Sequence, residues 1–263
     1  MASGGKEGAS GERELNKATA RVLEVLSSFA SDAPGYGVTE LAQALGMTKN
    51  MTYRALATLV EQGYVMREPE GSRYQLGWRV LELQNPLLVE PDFRALSLPY
   101  VRRIHALTGE SVGLVVRAGD YCVLIDGVET RKHGVWRVRV GTLFGLWGPA
   151  SGRVMLAQES DAAITDYCAR TGQDSAAILA EVARIRAQGH ARVARATPPQ
   201  MVSVAFPVFD IDGRLHGSIS VGGPRDRFEH QLARQMPELE EIAAELNRRA
   251  RLFPADDAGL ELH

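Results

Sequence analysis

Lys49, Asn50, Tyr53 and Arg54 place four groups able to contact nucleic acid within six consecutive residues. Arginine pairs bidentately with guanine and asparagine with adenine, while lysine and tyrosine bond phosphate oxygens. At about 100° per residue, Asn50, Tyr53, Arg54 and Ala57 fall on one side of a helix. Thr52, Ala55, Leu56, Leu59 and Val60 fall on the other, which is predicted to be the core face. Ala57 is small enough to let the helix lie close to a groove. Lys49 and Met51 flank the polar side near the helix start, and Thr48 is placed to cap it. Arg67 and Arg73 follow in a predicted hairpin, placed for contacts to backbone phosphates. The competing reading is a small helical domain with a solvated polar face. Residues 1–77 hold eight Lys or Arg against nine Asp or Glu, so the region is not basic overall.

A second stretch has a different chemistry. Gly145-Leu146-Trp147-Gly148-Pro149-Ala150-Ser151-Gly152 runs into a predicted helix beginning near Ala150. Free N–H groups at a helix start attract anions, and glycines permit close approach, so a carboxylate fits there. Trp136, Phe144 and Trp147, three of the 17 aromatic residues, crowd the same region. Aromatic walls with a few polar groups describe a small-molecule pocket. The same rings also suit a core or a subunit interface.

The elements that must position these residues follow from caps and periodicity. Asn16 is set to cap a helix bearing Ala18, Val22, Val25, Leu26 and Phe29, ended by Pro34, Gly35 and Gly37. Thr39 is the expected cap of a short second helix stopped by Gly46, and the helix from Thr48 runs to about Gln62, before Gly63. Strands over 64–66 and 73–76 complete the order helix, helix, turn, helix, hairpin. That is a winged helix-turn-helix, whose last helix enters a major groove. Pro86 and Pro91 interrupt residues 78–98, and Ser97 with Pro99 is expected to open a helix running to Thr108. Beyond it the pattern predicts strands at 111–117, 121–127, 134–140, 190–195, 201–209 and 214–222. Helices are predicted at 150–158, 161–170, 175–188 and 228–251. The fold class expected is α+β. Its parts are a disordered tail (1–13), a winged helix-turn-helix domain (14–77), a helical linker (78–98), an α/β effector-binding domain (99–252) and a second tail (253–263).

Composition excludes several classes. Of 263 residues, 45% are hydrophobic and 24% charged, which is too apolar for a disordered chain. No apolar run is long enough to span a membrane, and residues 1–15 lack the apolar region of a signal peptide. A cytoplasmic protein with no membrane partner is therefore expected. Cys122 and Cys168 make neither a disulfide framework nor a zinc site, and both read as core thiols. The histidines at 105, 133, 190, 216, 230 and 263 show no metal-ligand spacing. His133 at the pocket mouth, and Arg192 and Arg195 beside the facing strand, are weaker candidates for ligand contact. The sequence has no nucleophile elbow, P-loop, dinucleotide fingerprint or metalloprotease motif. The only S-x-x-K lies at Ser3–Lys6, in the tail. No enzyme and no cofactor is expected. An esterase-like role for Ser151 would need partners that are not near it in sequence.

Taken together, ARVLEVLSSFA, VTELAQALGMTKNMTYRALATLVEQGYV and SRYQLGWRVLEL, then LPYVRRIHALTGESVGLVV, PASGRVMLA and VSVAFPVFDIDGRLHGSISVGGP, resemble the isocitrate lyase regulator (IclR) family of bacterial transcription factors. The resemblance spans roughly residues 14–250 in order. It implies a DNA-binding domain followed by a GAF/PAS-like ligand-sensing domain, in dimers or tetramers. It makes Lys49, Asn50, Met51, Tyr53 and Arg54 the DNA-facing helix start. It also implies that the backbone of Ala150 and Ser151 holds an effector carboxylate. Trp136 and Phe144 match wall positions, and Ala205, Pro207, Ser220 and Gly222 match positions on facing strands. Two departures stand out. Lys49-Asn50-Met51-Thr52 replaces the common Lys-Ser-Thr-Val, which implies a different operator, with Met51 suited to a thymine methyl. Gly222 stands where some relatives carry a second serine. The implied function is operator binding controlled by a small organic or aromatic acid, with repression expected and activation the alternative.

Overall fold

The computed structural model describes residues 16–31, 33–69, 71–88, 91–132, 137–194 and 200–252. Both tails, His133, Trp136, Arg195 and the first three residues of the strand expected over 134–140 lie outside the described residues. The chain forms two compact units, Met1–Leu87 and Leu88–His263.

In the first unit, α1 (Lys17–Ser27) starts where Asn16 caps it, its side chain accepting from the N–H groups of Ala18 and Thr19 at 3.0 and 3.2 Å. The helix stops at Ser27, ahead of the glycines expected to end it. A short strand, β1 (Tyr36–Gly37), precedes α2 (Val38–Ala44). Thr39 does not cap α2. Gly37 occupies that position, and the Glu40 carboxylate reaches back to its N–H at 3.2 Å. Gly46, with φ +61°, makes the left-handed turn into α3 (Lys49–Glu61). The hairpin β2 (Val65–Arg67) and β3 (Arg73–Leu76) pairs antiparallel, and β1 adds to the other edge of β3. Val25, Phe29, Leu41, Ala55, Leu56, Leu59, Val65 and Tyr74 form the core, drawn from α1, α2, α3 and the hairpin.

The two expected breaks near the unit boundary are displaced. The helix α4 (Arg79–Leu88) continues through Pro86. Pro91 opens α5 (Pro91–Thr108), the first-position role that suits a residue without an N–H. Ser97 and Pro99 lie inside α5 instead of starting it. Phe93, Ser97, Tyr100, Val101 and Ile104 form one buried stripe along the helix, so burial holds it continuous. Pro99 and Ala95, whose carbonyl loses its intrahelical partner, are both exposed, so the break falls on the solvent side of the helix.

The second unit is built on a six-stranded antiparallel sheet. Its strands are β4 (Ser111–Ala118), β5 (Tyr121–Val128), β6 (Leu143–Gly145), β7 (Ala191–Ala194), β8 (Met201–Phe209) and β9 (Leu215–Pro224), in spatial order β6-β5-β4-β9-β8-β7. Residues 137–140 are not a strand; the third strand of the meander is displaced to β6. Period-two alternation sorts the side chains into two cores. Val202, Val204, Phe206 and Val208 of β8 and Ile219 and Val221 of β9 face α5 and α9 (Arg225–Ala250). On the opposite face lie α6 (Ala150–Leu156), α7 (Asp161–Thr171) and α8 (Ser175–Gln188), packed with Val115, Cys122, Leu124 and Ala205. The layers are therefore helix, sheet, helix, in an α+β chain. Glu110, fully buried, ties two of these parts together: Arg227 of α9 donates to both its oxygens at 2.7 and 2.8 Å.

Candidate functional site

In the first unit, Thr48 Oγ1 accepts from Met51 N–H at 3.3 Å and fixes where α3 begins. Thr52, Ala55, Leu56 and Leu59 are buried beneath the helix, and Asn50, Tyr53, Arg54 and Ala57 are exposed. Lys49 is exposed and Met51 half-buried. Val60, expected in the core, is instead exposed, because it lies at the rim of the apolar stripe. Thr52 is accommodated in the core because its hydroxyl donates to the Thr48 carbonyl at 3.2 Å, leaving its methyl for packing. The hairpin arginines differ. Arg67 is exposed and forms no ion pair or hydrogen bond with a described residue. Arg73 donates to the Gly35 carbonyl and to Glu40 Oε2, so its charge is engaged in holding β3 against the start of α2.

In the second unit, the sheet face toward α6 carries small residues where β4, β8 and β9 meet: Gly113, Ser203, Ser220 and Gly222. The missing side-chain volume leaves a cavity of about 370 Å³. It is bounded by Phe144 and Gly145 of β6, Gly148 and Pro149, Ala150 and Ser151 of α6, and Val193 of β7. Met201, Val202 and Ser203 of β8, Ser220 and Gly222 of β9, and Arg137 complete the lining. Five sequence-selected residues therefore meet there: Phe144, Ala150, Ser151, Ser220 and Gly222. Ser220 Oγ reaches the Gly113 carbonyl only at 3.4 Å, a long bond that leaves the hydroxyl available to a ligand. The N-cap of α6 is Pro149, which provides no side-chain acceptor for the first-turn N–H groups. Gly152 lets this turn pack on the preceding loop, since a Cβ there would come within 2.1 Å of the Leu146 carbonyl oxygen.

Three selected residues do not line the cavity. Ala205 is buried opposite Ser220 and packs in the α6–α8 core. Pro207 pairs with Ser218 farther along β8. Trp147 packs its ring under the Arg153 guanidinium of α6, and its backbone N–H donates to the Tyr167 hydroxyl of α7 at 3.1 Å. Arg192 is paired with Glu229 across the sheet edge, away from the lining. Sequence reasoning missed Val193, Met201, Val202, Ser203 and Arg137. Met201 and Ser203 were accessible from Ala205, because residues two and four positions earlier on a strand share its face. Nothing local marks Arg137.

Cys122 lies behind the cavity, its thiol directed at the Phe144 carbonyl at 3.6 Å, and burial pushes its pKa up to about 11. No group of three or more metal-ligating side chains occurs among the described residues. No helix of the described residues is long and apolar enough to cross a membrane.

Known proteins supply an independent comparison. The profile described as "Bacterial transcriptional regulator IclR C-terminal" matches residues 87–248, and "IclR helix-turn-helix domain" matches residues 18–69. The HTH-type transcriptional regulator XynR of Escherichia coli K12 is 23% identical over 238 residues, 87% of this chain and 94% of that protein. The DNA-binding transcriptional repressor YiaJ of the same organism is 24% identical over 252 residues, 90% of this chain and 88% of that protein. A crystal structure of an IclR homolog from Microbacterium hydrocarbonoxydans, complexed with 4-hydroxybenzoate, shares the fold at a TM-score of 0.70. It is 18% identical and covers 90% of this chain and all of that one.

Proposed function

Because the chain belongs to the IclR family of bacterial transcriptional regulators, and is thus a DNA-binding regulator and not an enzyme, we propose that it is a repressor released from its operator by a small organic acid held in the β8–β9–α6 cavity. The observation that carries this reading is the cavity itself: a chamber of about 370 Å³ with an apolar wall of Phe144, Val193 and Met201 and three serine hydroxyls. That volume is at the low end of the ~300–1,000 Å³ of small-molecule sites. The names of the repressor YiaJ and of the 4-hydroxybenzoate-bound homolog support the sign and the ligand class.

On the DNA side, Asn50, Tyr53 and Arg54, with Lys49 and Met51 beside them, read the major groove, and Arg67 contacts the backbone. A homodimer presents two such helices to half-sites about one helical turn apart, or a multiple of it. Trp78, 77% exposed on the first unit, with Leu76, Leu81 and Leu83, provides apolar surface for that assembly. The effector acts only through its difference in affinity for two arrangements of the protein. A hundredfold change in operator affinity needs about 2.7 kcal/mol of such difference.

The test is a thermal-shift screen of the full chain against aromatic and aliphatic acids, followed by operator-binding titrations with each hit. The expected result is a raised midpoint and a changed operator affinity with the same compound. Ligands that stabilise the protein without altering operator affinity would overturn the reading.

A further inference from the structure

Arg137 is the only charged side chain among the described residues that line the cavity. It forms no hydrogen bond or ion pair with any described residue, whereas most other arginines around the sheet are matched: Arg94 with Asp126, Arg117 with Glu159, Arg153 with Glu181, Arg170 with Asp120, Arg192 with Glu229. No acidic side chain lines the cavity among the described residues. The remaining polar side chains, Ser151, Ser203 and Ser220, carry neutral hydroxyls, the first-turn N–H groups of the short helix α6 add uncharged donors, and Phe144, Val193 and Met201 are apolar.

From this distribution we infer that Arg137 is the carboxylate anchor of the cavity, and that the site selects monocarboxylates with an apolar body and no ammonium group. The inference rests on the cavity being the effector site, and it names the charge that site recognises. One guanidinium offers a planar fork matched to one carboxylate. A second carboxylate would meet neutral donors and apolar walls but no second cation. The ammonium of an amino acid would lose water without gaining a counter-ion, a cost that hydroxyls only partly offset. Hydroxyls on the ligand's body are accommodated by Ser203 and Ser220. Arg137 is exposed at the rim, so it draws acids in while remaining partly hydrated, and its contribution is screened by salt.

The experiment is calorimetric titration of the full chain with three matched sets: benzoate and benzamide, 3-phenylpropionate and phenylalanine, hexanoate and adipate. Wild type is expected to bind at least one monocarboxylate and to bind its amide, amino-acid or dicarboxylate counterpart at least about tenfold more weakly. Arg137→Gln should weaken the acid by about tenfold and leave the amide unchanged, while Arg137→Lys, which keeps the charge but not the fork, should recover part of that loss. Ser203→Leu, which fills the chamber, should abolish binding of all probes. If Ser203→Leu abolishes binding and Arg137→Gln does not weaken the acids, the cavity remains the effector site and the anchor is refuted. If acids bind equally well to both variants, the cavity reading itself fails. If no monocarboxylate of the panel binds wild type, or phenylalanine binds better than 3-phenylpropionate, the proposed selectivity is overturned.

Discussion

The Arg153 guanidinium lies 4.6 Å from the centroid of the Trp147 ring, and its Nε donates to the Trp147 carbonyl at 3.2 Å. The same side chain bonds Glu181 of α8 at 2.7 Å. One arginine of α6 thus joins the loop before it to α8, and holds the indole against its own guanidinium. Arg153→Ala should lower stability by about 1–3 kcal/mol, read as a shifted urea midpoint at unchanged slope. Effector affinity should stay within about twofold. A large loss of effector binding with unchanged stability would return Trp147 to the pocket wall.

Arg54 is exposed on α3 and the core beneath it is independent of its side chain. Arg54→Ala should leave the urea midpoint within about 0.5 kcal/mol of wild type. Selection from a random duplex pool should show lost preference at one base position, worth about 1–3 kcal/mol. An unaltered selected sequence would remove Arg54 from base readout.

Arg67 and Arg73 should separate cleanly although both sit in the hairpin. Arg67→Ala should weaken binding to all duplexes alike and reduce the salt dependence by about one counterion. Arg73→Ala should instead destabilise the first unit, since it removes the bonds to Gly35 and Glu40. Measuring operator affinity between low and moderate salt, beside thermal midpoints, distinguishes the two. Equal salt slopes for wild type and Arg67→Ala would refute a phosphate contact.

Glu110 is fully buried, and its charge is balanced by Arg227 and by Lys132 at 3.4 Å. Glu110→Gln should cost about 3 kcal/mol, because it removes the one fully buried carboxylate that both Arg227 and Lys132 face. Denaturant titration measures this, and a change below about 1 kcal/mol would show that solvent compensates the arginine.

The two thiols set an alkaline limit. Cys122 has a folded pKa raised by burial from 9.0 to about 11. Burial also raises that of Cys168. The fold favours the neutral thiol, so this contribution is complete below about pH 9 and is lost as pH climbs toward 11. Stability should therefore fall over that window in wild type and fall less in Cys122→Ala. Ellman's reagent should leave both thiols unmodified at pH 8 until the protein unfolds. Rapid labelling of the native protein would contradict their burial.

Much of this was legible in the sequence because it is decided within a few residues. Asn16 and Thr48 cap their helices by reaching two or three positions ahead, and the two faces of α3 follow from a 3.6-residue period. The order of strands and helices from 111 to 250 follows from the same local rules, apart from the displaced third strand. Thr39 and Ser97 looked equally good as caps, yet Gly37 and Pro91 begin those helices. For α5 the decision came from distant residues: the sheet buries a stripe from Phe93 to Ile104, which outweighs a lone proline. The same holds for the cavity. Family resemblance pointed to Ser220 and Gly222, but it is the pairing register that sets Gly222 opposite Ser203 and Ser220 between Gly113 and Ala205, and so gathers the small residues that open the cavity. Trp147 meets Arg153 and Arg137 joins the lining through contacts that no local pattern marks. Sequence determined which elements form and which face of each is apolar, because caps and periodicity act over one or two turns. Only the tertiary structure decided which charges are already paired and which is left facing the cavity, because pairing depends on residues tens to more than a hundred positions apart.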